Sequence, residues 1–143
     1  MVVTFFGDGD MEYLKKNNMD KKLYAEIKNL MQSGGTTFVF GGCSDFDLMC
    51  AQIVKELQDK FPNVVSILVL PYEDFEFDKS LYNLMHYFPF KARSKRTAIL
   101  HHNFYMVFKT DAIVYHVKNR WSISAKAIRY ARRDKYKMLI SIK

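Results

Sequence analysis

Aspartates and glycines are concentrated in two short stretches, Gly7-Asp-Gly-Asp10 and Gly41-Gly-Cys-Ser-Asp-Phe-Asp47. Glycine tolerates positive φ and lets another group approach the backbone closely. The acids that follow have two uses. Asp45 or Asp47 can cap a helix, its carboxylate accepting a backbone N–H, or it can present that carboxylate to a ligand. A strand, then glycines, then a helix N-terminus is the usual construction of a site at the carboxyl end of an open α/β sheet. The same residues also suit a tight strand-to-helix turn with an ordinary cap.

Other chemistries find little support. Cys43 and Cys50 are the only cysteines and lack a CxxC partner, so they read as free thiols of a reducing, cytoplasmic compartment. His101 and His102 are adjacent, and no Cys/His spacing fits a tetrahedral metal site. No metal or cofactor is expected. No run is long and apolar enough to cross a membrane, and residues 1–6 read as a first strand rather than a signal peptide. The net charge of +7 is uneven. Lys91, Arg93, Lys95 and Arg96 form one basic group. A second runs from Lys118 through Arg120, Lys126, Arg129, Arg132, Arg133, Lys135 and Lys137. Such groups are either solvated helix faces or attractors of phosphate.

The loops need a scaffold to hold them. Residues 1–6, 36–40, 64–70, 111–117 and 136–142 are apolar runs that read as five strands. A helix capped by Asp20 presents Leu23, Tyr24, Ile27, Leu30 and Met31 and closes at Gly34-Gly35. A second places Cys50, Ile53, Val54, Leu57 and Phe61 on one stripe. Further helices follow Ser94 and either Ser122 or Ser124. Residues 11–18 read as a loop. Residues 72–92 read as an aromatic, acid-bearing insert with a short helix near residues 81–85. The alternation implies one Rossmann-like α/β domain over residues 1–143: three layers around a mainly parallel five-stranded sheet of order 3-2-1-4-5. Residues 7–10, 41–47 and 120–124 then meet at the switch-point crevice.

With those blocks in order, the chain resembles the SLOG superfamily of Rossmann-like domains, which includes the DprA and LOG proteins. The nearest branch is the YpsA-like group of small bacterial and phage proteins. Thr4-Phe-Phe-Gly-Asp-Gly-Asp10 and Gly41-Gly-Cys-Ser-Asp-Phe-Asp47 match its two glycine blocks, and Leu70-Pro-Tyr72 is intact. Asp78-Lys-Ser-Leu-Tyr82 fits its Tyr-rich insert and His102-Asn-Phe-Tyr-Met-Val107 its next helix. Trp121-Ser-Ile-Ser-Ala-Lys126, with Tyr130-Ala131, fits the last block. The departures fall on phosphate handling. Asp8-Gly9 replaces His-Arg, Ser44-Asp45 the second glycine pair, His102 an arginine, and Ser122-Ile123 the last glycine pair. Arginine is the bidentate partner of phosphate, and glycine loops let backbone N–H groups approach it.

The resemblance implies a module that binds a nucleotide or nucleotide derivative, as sensor or sequestering protein, through an altered cradle. Gly7, Asp8, Gly41, Gly42, Ser44, Asp47, Asn103, Trp121, Ser122 and Ser124 would line it, with His102 as a donor when protonated. Asp47 would fix a ribose hydroxyl and Trp121 would stack on a base. Two alternatives stand beside it. An enzyme acting on an N-glycosidic bond would use Asp8, Asp45 or Asp47, although no Pro-Gly-Gly-x-Gly-Thr-x-x-Glu block like that of the LOG enzymes is present. By analogy with DprA, the basic C-terminal helix would bind single-stranded nucleic acid. Homo-oligomers are common in the superfamily, and the aromatic insert offers such an interface.

Overall fold

The computed structural model describes all 143 residues. Six strands form one sheet: β1 (Val2–Gly7), β2 (Thr37–Phe40), β3 (Val65–Leu70), β4 (Leu84–Tyr87), β5 (Ala112–His116) and β6 (Met138–Ser141). Their order is β4-β3-β2-β1-β5-β6, and every pair is parallel. β1 is central, with Thr4 beside Val39 of β2 and Ile113 of β5. The chain turns back at β1, which opens the crevice between the ends of β1 and β5.

Alternation along β1 divides the core. Val3 and Phe5 point into a layer built from α1 (Met11–Lys16), α2 (Met19–Gln32) and α3 (Asp45–Leu57), where Phe5 stacks on Phe40 at 5.1 Å. Phe6 points into a smaller layer under α4 (Lys95–Lys109) and α5 (Ile123–Ala131), with Met106, Val107 and Ile128. Thr4, buried on that side, donates its hydroxyl to Val39 O at 2.8 Å, so the central strand carries no unpaired polar group.

The structure corrects the sequence reading in four places. The sheet has six strands rather than five. The added strand, β4, follows a single 3-10 turn at Lys79–Leu81 and overlaps residues 81–85, where a short helix was expected. All four β4 residues are exposed, Leu84 by 55% and Tyr87 by 59%, so neither face leaves an apolar pattern in the sequence. Residues 11–18 are not a loop, since α1 starts at Met11, capped by Asp10, which accepts from Tyr13 N–H at 2.9 Å. Asp20 does not cap α2. Asn18 holds that position in the left-handed region, at φ 55°, and Asp20 lies in the first turn. The cap of α3 is neither Asp45 nor Asp47 but Ser44, whose hydroxyl accepts from Asp47 N–H at 3.1 Å. Ser94 caps α4 as expected, and Ser122 rather than Ser124 caps α5. No helix is long and apolar enough to cross a membrane.

Candidate functional site

With Ser44 as the cap, Asp47 is free for another task. It is 4% exposed and turns back over the β2–α3 loop. Its Oδ2 accepts from Gly41 N–H at 3.0 Å and its Oδ1 from Gly42 N–H at 2.8 Å. Burial pushes its carboxyl up to about 7, against the pull of those two N–H groups. Gly42 sits at φ +71°, which explains a glycine there. Gly41 is needed for space, because a Cβ would lie 2.7 Å from the His102 ring. Gly7 meets the same limit, with a Cβ only 2.1 Å from the ring of Phe46. Both glycines therefore serve packing beneath the loops.

Asp8 spans the crevice. Its Oδ2 accepts from Lys118 N–H at 2.8 Å, Asn119 N–H at 3.0 Å and the Ser122 hydroxyl at 3.1 Å. Two backbone donors and a hydroxyl at a helix start are the kind of group that holds a phosphate oxygen, and here the chain's own carboxylate holds the place. Asp45 ties a third loop, accepting from Met11 N–H at 2.9 Å. All three candidate catalytic aspartates thus receive backbone N–H groups.

Between these ties lies a small, partly open cavity of about 140 Å³. Gly41, Ser44, Asp47, Asn103 and Ser124 reach it among the predicted residues, with Phe5, Phe6, Ile99 and Met106 as apolar wall. Asn103 is 7% exposed, lines the cavity and has the adjacent His102 ring as its one side-chain partner. Ser124 donates to Gly7 O at 3.2 Å, leaving lone pairs free. His102 does not join this group. Its ring is fully buried, with Nε2 2.8 Å from Val69 O and Nδ1 3.3 Å from Ile99 O, and burial holds its pKa below the usual value. In the neutral ring the shorter contact carries the proton, so His102 braces α4 against β3.

Trp121 also stands apart. It is 71% exposed and lies beyond the Asp8–Ser122 link, in an open depression of about 680 Å³ with Lys118 and Arg120. The Arg120 guanidinium sits 4.7 Å from its ring centre. Gly7 and Gly42 border the site without lining the cavity. Sequence reasoning missed Tyr13, whose hydroxyl meets His116 Nε2 at 3.1 Å and whose ring carries Lys118 Nζ at 4.1 Å. The only signal was its place three residues after Asp10, the spacing of a helix cap. Arg129, Arg132, Arg133 and Lys135 are all exposed around the end of α5.

An open, parallel, doubly wound sheet with a crevice at its switch point defines a Rossmann-like ligand-binding fold. The sequence matches the profile of the YspA SLOG family over residues 5–138, and the chain belongs to that family. No curated protein matches it. Among solved structures it is similar to DNA processing protein A from Helicobacter pylori, described for its single-stranded DNA binding mode. That match has a TM-score of 0.67 at 14% identity and covers 100% of this chain and 65% of the other. It is also similar to the Moco carrier protein from Chlamydomonas reinhardtii, with a TM-score of 0.63 at 15% identity over 99% of this chain and 75% of that one. The chain thus spans about two thirds of the DNA processing protein's length, and at these identities the likeness is one of fold.

Proposed function

We propose that the protein binds a nucleotide-derived small molecule in the crevice and grips it by sugar and base rather than by phosphate. Membership of a SLOG family supports a nucleotide-related ligand. The observation that carries the rest is Asn103, a residue only 7% exposed that lines the cavity and has the neighbouring His102 ring as its one side-chain partner. Ser44, Asp47 and Ser124 converge on the same space, which suits a hydroxyl-bearing ring. At about 140 Å³ it is smaller than the ~300–1,000 Å³ of a whole-ligand pocket. One ring enters, and the rest of the ligand lies outside. Phosphate is disfavoured because Asp8 and Asp47 already take the backbone donors of two loops.

A thermal-shift panel of adenosine, AMP, ADP-ribose and NAD tests this reading. A ligand at a hundred times its dissociation constant adds about 2.7 kcal/mol, a shift of several degrees. Adenosine is expected to shift the midpoint nearly as far as AMP, and Asn103→Ala to remove both shifts. A response to AMP alone would restore the phosphate cradle and sink the proposal.

A second reading rests on Trp121, exposed beside Arg120 and Lys118 as a stacking platform with cations. It predicts single-stranded oligonucleotide binding whose log–log salt slope is about −0.7 per phosphate contacted, and a flat response refutes it.

A further inference from the structure

A larger cavity lies outside the crevice. It is a half-open cleft of about 720 Å³ beyond the ends of β3 and β4, against the first turn of α4. That volume is in the ~300–1,000 Å³ range of small-molecule sites. The buried Leu70, Phe88 and Ala98 line its inner part, and the half-buried Tyr72 and exposed Phe90 stand nearer its mouth. Lys91, Arg93 and Lys95 line it as well, and Arg96 follows in the same turn.

Most of these cations have no countercharge. Lys95 Nζ pairs with Asp74 at 3.1 Å and lies 4.8 Å over the Tyr72 ring. Lys91, Arg93 and Arg96 make no ion pair, and the Lys95–Asp74 contact is the only one in the protein. With that pair set aside, Lys91 and Arg93 outweigh Glu73, the remaining acid of the lining. The placement is also unfavourable in the free chain. Cations at a helix start face the positive end of its dipole, and the first turn of α4 has no acid. A bound anion reverses the sign of both effects.

We propose that this cavity is a second ligand site, separate from the crevice, that takes a nucleoside di- or triphosphate. The ring lies against Tyr72 and Phe90, and the phosphates meet Lys91 and Arg93. The aromatic wall selects for a ring, and two unpaired cations suit linked phosphates rather than one.

Titration calorimetry at low ionic strength, with ATP, tripolyphosphate and adenosine as probes, tests the assignment. ATP is expected to bind, with tripolyphosphate about tenfold weaker for want of the ring. Lys91 and Arg93 are exposed, so their replacement leaves the fold intact. With the crevice silenced by Asn103→Ala in every sample, a Lys91→Ala/Arg93→Ala change is expected to weaken the remaining ATP binding at least tenfold. Absence of ATP binding, or an affinity that survives the double variant, overturns the proposal. Loss of ATP binding in Asn103→Ala instead assigns the ligand to the crevice, which also overturns it. Equal affinities for ATP and tripolyphosphate contradict the part assigned to the ring.

Discussion

In the crevice, the carboxylates of Asp8, Asp45 and Asp47 accept from five backbone N–H groups on three different loops or helix starts. Beside the first turn of α4, at the same edge of the sheet, Lys91, Arg93 and Arg96 meet no carboxylate at all. One region has its donors filled by the chain's own acids, and the other has cations waiting for a countercharge. Fold therefore does not dictate which opening takes phosphate. A parallel sheet offers several sites along its carboxyl edge, and the side chains at each loop decide what charge is welcome there.

The contrast can be broken by pH. Burial raises the Asp47 carboxyl in the fold to about 7 from an ordinary 3.8. A raised acid pKa means that the folded state holds the proton more tightly than the unfolded chain. Its contribution is complete below about pH 4 and is lost as pH rises through 7, by up to about 4 kcal/mol. Urea denaturation from pH 4 to 8 should show that decline, and Asp47→Asn should flatten it. A decline that persists in the variant would assign it to other groups.

The next effect is steric. Gly7→Ala drives a methyl into the Phe46 ring and should lower stability by about 3 kcal/mol, as overpacking does. Chemical denaturation measures it directly, and a change under 1 kcal/mol would mean that the crevice floor yields easily.

A smaller effect sharpens the contrast most. Asp8→Ala leaves Lys118 N–H, Asn119 N–H and the Ser122 hydroxyl without their acceptor, at a cost of about 1–2 kcal/mol. The opened donors should now accept inorganic phosphate. Tens of millimolar phosphate is expected to raise the melting temperature of the variant and not that of the wild type when ionic strength is matched. Equal responses would show that Asp8 does not occupy an anion position.

Much of this architecture was legible in the sequence. β1, β2, β3 and β5 are covered on both sides, so burial wrote them as apolar runs. β4 left no such trace, because an edge strand with both faces exposed has no pattern to impose. α1 was hidden by its length, six residues with Leu14 alone fully buried. The convergence of the glycine loops and the α5 start followed from topology. The roles of the aspartates did not, because hydrogen-bond partners that lie far apart in sequence cannot be read from local spacing. Asp8 finds its donors 110 and 111 residues away, and Asp45 finds Met11 across 34. Asp47 was expected to cap α3 or meet a ligand and instead turns back on Gly41 and Gly42, a choice settled by Ser44 taking the cap.

The most direct test of the crevice reading is an amide chemical-shift titration of isotope-labelled protein with adenosine, which carries no phosphate. Shifts are expected at Gly41, Gly42 and Ser44 and at the side-chain amide of Asn103, with Lys91 and Arg93 unmoved. Shifts confined to the turn around Lys91 and Arg93, or none at any concentration that keeps adenosine soluble, would contradict it.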